Sequence, residues 1–165
     1  MSGPETHVLV FQMGTNTYAL EASAIEQVLL YSELTTPPNM PHAMGGVLNL
    51  YGRLIPVLRL ARLFGVGGRD VDLYTPILVI RCADRQIGLI VDTVHNLVPF
   101  EGESPTPLTE GVSYNECAIG AVRWKEEWTP VLDAARILTM EEQQRVEDFR
   151  RQEERRLLEL EEAPA

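Results

Sequence analysis

Short apolar runs separated by turn chemistry set the pattern of this chain. Val8 to Met13 is strand-length, Gly14-Thr15-Asn16-Thr17 is a turn, and Tyr18-Ala19-Leu20 opens a second strand, which predicts a hairpin. The clearest signal lies in Gly45 to Leu60. There Val47 to Leu50 and Leu54 to Leu58 flank Tyr51-Gly52-Arg53, and a glycine in so short a connection takes positive φ without a Cβ clash. Pro56 has no N–H for a ladder, which places it at a sheet edge, a bulge or a corner. A lone hairpin is marginal in water, so this one must pack on something larger. Between the two hairpins, Ile25, Val28 and Leu29 have the i, i+3, i+4 spacing of a short helix over Ser23 to Leu30, capped by Ser23. Leu34 to Met44, with Pro37, Pro38 and Pro41, reads as an ordered loop. Ala61 to Phe64 reads as one helical turn and Gly65 to Asp72 as a glycine-rich linker.

After the linker the pattern starts again. A shift of 69 positions lays Val8-Leu9-Val10-Phe11 on Ile77-Leu78-Val79-Ile80, Tyr18-Ala19-Leu20 on Ile87-Gly88-Leu89, and Ile25 and Val28 on Val94 and Leu97. A shift of 74 lays Gly46 on Gly120, Pro56-Val57-Leu58 on Pro130-Val131-Leu132, and Ala61-Arg62-Leu63 on Ala135-Arg136-Ile137. The change of offset is one longer loop, Pro99 to Cys117. Several matches in one order indicate duplication of a β-rich unit. Strands dominate and no βαβ alternation occurs, so two small barrels packed together are expected, with units at roughly 8–63 and 77–137.

The tail differs in kind. Thr139-Met140-Glu141-Glu142 is a capping box, and Pro and Gly are absent until Pro164, which predicts a helix over roughly 140–161. Glu141–Arg145 and Glu147–Arg151 fall at i, i+4, while Val146, Phe149, Leu157 and Leu160 form a broken apolar stripe. Two readings follow: a mostly solvated helix docked by its first turns, or an arm that binds a partner or pairs with itself.

Composition narrows the function. The formal charge is −10, with net −4 in residues 140–165 and net −6 in the rest, so neither part offers the Lys and Arg excess that phosphate backbones or anionic lipid require. No signal peptide or membrane-length apolar stretch is visible, and a cytoplasmic protein is expected. Cys82 and Cys117 are too few for a disulfide framework or a cysteine-only zinc site and read as small buried hydrophobes. His7, His42 and His95 are scattered without metal spacing, His95 lying in a strand-to-helix region. No GxxxxGK[ST], GxGxxG or GxSxG is present, so no catalytic residue, cofactor or metal is assigned. Asp92, alone in an apolar run, reads as a carboxylate bonded to turn backbone. Trp124 and Trp128, which bracket Lys125-Glu126-Glu127, read as packing in the barrel or, less simply, as a pair facing a partner.

These residues resemble a known family. Pro38-x2-Pro41-x3-Gly45-Gly46-Val47-Leu48-Asn49-Leu50-x-Gly52-x3-Pro56-Val57-x2-Leu60 is similar to the signature of CheW-like domains. Gly88-Leu89-Ile90-Val91-Asp92-x-Val94 resembles their second block and Gly120 to Leu138 their closing hairpin, so the likeness covers about 8–138 and leaves 139–165 as a helical extension. The resemblance implies a mainly β fold of two intertwined five-stranded SH3-like barrels with short helices. It also implies a non-catalytic adaptor, recruited to membrane receptor arrays, that joins the helical tip of methyl-accepting chemoreceptors to a CheA-type histidine kinase. Receptor helices would lie in a groove whose matching positions are Ile25, Gln27 and Val28 on the short helix and Gly46, Val47, Asn49 and Tyr51 on the hairpin. The kinase's own CheW-like regulatory domain would pair barrel to barrel, through residues that the sequence does not identify, and helix 140–161 could add a contact.

Three positions depart from the family pattern, which usually has Glu where Gln27 stands, Arg where Tyr51 stands and Asp where Arg59 stands. Two charges beside the receptor groove are thereby neutral, which changes partner selection more than stability. A divergent member serving a specialised pathway is the expected reading. Its alternatives are a small-barrel nucleic-acid-binding module, which needs a basic aromatic face, and an adaptor that binds receptor or kinase alone.

Overall fold

In the computed structural model, which describes residues 6–32, 34–36, 38, 40–100 and 118–162, ten strands form two five-stranded sheets. The first half supplies β1 (Thr6–Met13), β2 (Asn16–Glu21), β3 (Ile25–Leu30), β4 (Met44–Leu50) and β5 (Arg53–Arg59), then a short helix α1 (Leu60–Phe64). The second half supplies β6 (Pro76–Cys82), β7 (Arg85–Ile90), β8 (Thr93–Phe100), β9 (Ala118–Trp124) and β10 (Glu127–Leu132), and the chain ends in helix α2 (Met140–Glu162). One sheet has the order β8-β1-β2-β10-β9 and the other β3-β6-β7-β5-β4. Each sheet therefore takes its first hairpin from one half and its three remaining strands from the other. The halves are intertwined, in a mainly β, SH3-like two-sheet arrangement.

The period of two explains why the central strands read as continuous apolar runs. On β1, Val8 and Val10 enter a small core within their own sheet, while Leu9, Phe11 and Met13 enter a larger core between the sheets. On β6, Ile77 and Val79 face their own sheet's core, and Leu78, Ile80 and Cys82 face the shared one. A strand buried on both faces needs no polar alternation. The two prolines repeat one device. Pro56 pairs with Val47, and β5 joins β7 only from Val57 onward; Pro130 pairs with Ala121, and β10 joins β2 only from Val131. Each proline thus sits at the corner where a strand gains its second neighbour, and its missing N–H costs no ladder bond on that side.

The short helix expected over Ser23 to Leu30 is corrected: a single 3-10 turn, Ala22–Ala24, leads into strand β3, and Ser23 makes no capping bond. β3 pairs with β6 in a register that shifts between Ile25 and Gln27. Across that irregularity Ile25 packs on the shared core, Leu29 on its own sheet's core, and Val28 is 48% exposed, so their helical spacing marks no common face. His95 and its neighbours Val94 and Leu97 likewise lie within strand β8, not at a helix. Pro99, expected in a loop, belongs with Phe100 to β8, and the rest of the expected loop, with Cys117, lies outside the described residues. Met44 belongs to β4, and Thr35 forms an isolated bridge with Val47 within the proline-rich connection.

Polar contacts fix the connections. The Asp92 carboxylate accepts from Gly14 N at 2.7 Å and from Arg69 N at 3.0 Å, clasping the linker to the first hairpin turn. The capping box at α2 is present: Glu142 N donates to Thr139 Oγ1 at 3.2 Å and Thr139 N donates to Glu142 Oε1 at 2.8 Å. α2 is docked beyond its first turns, with Val146 and Phe149 in the shared core, Glu153 buried, Leu157 half-buried and Leu160 exposed. Of the two charge pairs expected on α2, Glu147–Arg151 is formed at 3.3 Å, while the Glu141 side chain lies outside the described ones.

Candidate partner-binding surface

The sheet β3-β6-β7-β5-β4 carries all seven positions drawn from the resemblance, on its two outer strands and the hairpin between β4 and β5. On β3, Gln27 is exposed, Val28 is 48% exposed and Ile25 is half-buried against the shared core. On the hairpin, Asn49 is exposed and Tyr51 is 95% exposed, whereas Gly46 and Val47 are buried. The surface a partner can touch is thus Gln27, Val28, Asn49 and Tyr51. Gly46 and Val47 support it from beneath. Gly46 has φ +148°, and a Cβ there would lie 2.7 Å from Leu34 Cβ and 2.8 Å from Thr35 O, so only glycine lets the Thr35–Val47 bridge close.

The hairpin tip is a two-residue turn. Tyr51 and Gly52 both have positive φ, 52° and 88°, the geometry that matches the twist of the flanking strands. Asn49 Oδ1 accepts from Gly52 N at 2.9 Å and holds that turn, which leaves the Tyr51 ring projecting without a hydrogen bond to Gln27. The charge on this face comes from residues that sequence reasoning missed. Arg81 Nη2 lies 3.1 Å from Glu26 Oε1, Gln86 Nε2 donates to Glu26 Oε2, and Arg53 Nη1 donates to Gln86 Oε1 at 2.8 Å. The network runs from β3 through β6 and β7 to β5, linking the strand of Gln27 to the hairpin of Tyr51. Only register places these four side chains together, so no local motif announces them.

α2 forms one wall of a cleft of about 720 Å³ beside this hairpin, opposite Asn49, Gly52, Arg53 and Leu54. Glu147 gathers three guanidinium groups, Arg150 Nη2 at 2.8 Å and Arg151 Nε at 3.3 Å within α2, and Arg85 Nε at 3.8 Å across to β7. The hydrogen bond from Arg150 and the surrounding guanidinium charge hold the Glu147 carboxyl below its ordinary range, against a smaller upward push from burial. Arg85 Nη1 also donates to Gln143 O at 2.8 Å, joining the β6–β7 turn to the first turn of α2.

The other singled-out groups do not assemble into chemistry. His95 Nε2 lies 2.8 Å from Gln12 Oε1, and because Gln12 Nε2 is committed to Gly14 O, the imidazole is the donor. Burial against Trp124, followed by the charge of Lys125, lowers its pKa from the usual histidine value. Cys82 is buried in the shared core, and desolvation pushes its thiol up. Among the described residues no group of His, Cys, Asp and Glu has the arrangement to hold a metal ion, and no helix is long and apolar enough to cross a membrane. Trp124 packs partly on its own sheet's core, but Trp128 is 45% exposed, contrary to the packed reading of both.

Comparison with known proteins gives the same architecture a family. The chain is 37% identical over 90 residues to a chemotaxis protein CheW of Thermotoga maritima, an alignment covering 54% of this chain and 59% of that one. With the Klebsiella aerogenes chemotaxis protein CheW it shares 28% identity over 102 residues, covering 62% of this chain and 61% of the relative, so the match spans about three fifths of these relatives' length. The crystal structure of the scaffolding protein TtCheW from Thermoanaerobacter tengcongensis superposes with a TM-score of 0.68 at 26% identity, over 78% of this chain and 89% of that one. The family model described as CheW-like domain matches residues 7–142, and the chain belongs to that family.

Proposed function

We propose that this protein is a non-catalytic chemosensory adaptor that couples the helical tip of methyl-accepting receptors to a CheA-type histidine kinase, in a specialised pathway. Family membership supports the adaptor role, and the names of its relatives, chemotaxis and scaffolding proteins, point the same way. The observation that carries the reading is the exposed set Gln27, Val28, Asn49 and Tyr51 on one sheet, seated on buried Gly46 and Val47. Exposed Val28 and Tyr51 offer apolar contact to a helical partner, and the charges of Glu26, Arg81 and Arg53 lie on the strands that run from β3 to the hairpin. Those charges then select among partners.

The neutral Gln27 and Tyr51 are the basis for a specialised rather than a general receptor set. Restoring the family's charges with Gln27→Glu and Tyr51→Arg should raise affinity for a general chemotaxis receptor fragment by about tenfold, as an added pair of complementary charges would. Surface titration of the fragment against both proteins measures it. Equal affinity would remove the specificity argument and leave the adaptor reading standing on the surface alone.

A further inference from the structure

The cleft between α2 and the β4–β5 hairpin opens onto the shared core, since Leu54, Ile87 and Val146 line it and belong to that core or pack on it. Strand pairing builds one wall. Asn49 pairs with Leu54, so both side chains reach the cleft from the same side of the sheet. The other wall is one face of α2, where Arg150, Glu154, Leu157 and Leu158 recur at helical spacing. This wall is held in place without a partner, by buried Val146 and Phe149 and by the bond from Arg85 Nη1 to Gln143 O. Its outer end nevertheless leaves apolar surface uncovered: Leu157 is half-buried and Leu158 is 51% exposed. A volume of about 720 Å³ falls within the roughly 300–1,000 Å³ of sites that enclose a ligand.

The charges lining the cleft are balanced in number but not all paired. Glu147 and Glu154 are met by Arg150, and Glu147 also by Arg85. Arg53 and Asp84 remain. Arg53 donates to the neutral amide of Gln86, and neither Arg53 nor Asp84 forms an ion pair with a described residue. The sheet side of the cleft thus offers one unmatched charge of each sign, facing a leucine pair on α2. The cleft is also continuous with the adaptor surface. Asn49 and Gly52 line it, and the bond between them holds the turn from which Tyr51 projects.

We propose that the helical partner of the adaptor surface runs on from Asn49 and Tyr51 into this cleft, so that α2 is the second wall of its groove. An amphipathic helix sets its apolar stripe against Leu157 and Leu158 and keeps its charged flanks at the mouth, an acid against Arg53 and a base against Asp84. The inference rests on the adaptor reading and adds a selectivity element to it: partners lacking that stripe, or carrying the charges reversed, lose the contact with α2.

The helix supplies its own control. Leu158 and Leu160 are both exposed leucines in one turn of α2, and Leu158 lines the cleft whereas Leu160 does not. Calorimetric titration of a helical-tip fragment of a methyl-accepting receptor from the same organism, against the full chain and its variants, reads the difference. Leu158→Ser should weaken binding by about tenfold, and Leu160→Ser by less than about twofold. Arg53→Gln should weaken it by about threefold at low salt and flatten its salt dependence. Tyr51→Ala, which reports on the adaptor surface alone, should weaken it as well. Unchanged circular dichroism and unfolding midpoint in each variant keep a folding defect distinct. If Tyr51→Ala weakens binding while Leu158→Ser does no more than Leu160→Ser, the adaptor reading stands and the cleft proposal is overturned. A fragment that the unaltered chain does not bind sinks the adaptor reading, and the cleft proposal with it. Leu158→Ser that spares the receptor fragment but weakens a CheA-type regulatory-domain fragment assigns the cleft to the kinase and overturns the proposal too.

Discussion

Gly46 shows how one residue can belong to a binding signature for reasons of backbone alone. Its φ of +148° and the close approach of Leu34 and Thr35 leave no room for a methyl group. Gly46→Ala should destabilise the protein by about 2 kcal/mol, from backbone strain plus overpacking. Any loss of partner binding should then follow the loss of folded protein. Denaturant unfolding alongside binding measured at matched folded fraction separates the two; a binding defect without a stability change would place Gly46 in the contact itself. Glu147 is a second residue whose role is fixed by its surroundings. Its folded pKa is depressed, chiefly by the Arg150 hydrogen bond, so its contribution is fully present above the unfolded carboxyl value of about 4.3 and is lost as pH falls through the lower folded value. Glu147→Gln should cost about 1 kcal/mol at neutral pH, because its carboxylate is mostly shielded from solvent but its guanidinium partners are partly solvated. Stability measured at pH 7 and pH 3 checks the sign: the gap between the two proteins should narrow on acidification. A constant gap would mean that packing, not charge, holds α2.

Among the elements, legibility from sequence depends on how many faces a segment buries. β1 and β6 are readable as strands because both faces are buried and the apolar run is unbroken from Val8 to Phe11 and from Ile77 to Ile80. The β4–β5 hairpin is readable because Gly52 marks the turn and Pro56 marks the corner. α2 is readable from its capping box, with the Thr139 and Glu142 bonds both formed. β3 is not. Its side chains are mostly exposed and its register shifts after Ile25, so Ile25 and Leu29 reach different cores and no alternation marks the strand in the sequence. The same limit hides the Glu26–Arg81–Gln86–Arg53 network, whose members lie up to 60 residues apart in the chain and meet only across strand pairings. Of the candidate site, the sequence resemblance marks which strands matter, but burial decides which of the marked side chains face a partner.

On the scale of the whole molecule, exchange of hairpins between halves is the dominant fact. β1 and β2 complete a sheet with β8, β9 and β10, and β6 and β7 complete one with β3, β4 and β5. We therefore take 8–138 as one folding unit and expect neither repeat to fold by itself. Fragments 8–63 and 77–137 made separately should lack cooperative unfolding and recover it when mixed. A cooperative transition in either fragment alone would show that a half can close its own sheet. The same exchange places β3 and the β4–β5 hairpin, both from the first half, at the two outer positions of one sheet built around second-half strands. The adaptor reading depends on that placement. A photoreactive side chain introduced at Tyr51, which is 95% exposed, captures what touches it in the native cell. The account predicts cross-links to the helical tip of a methyl-accepting receptor, in cells that also yield a CheA-type kinase bound to the same protein. Cross-links at Tyr51 no different from those at the exposed linker residue Asp70 would contradict it.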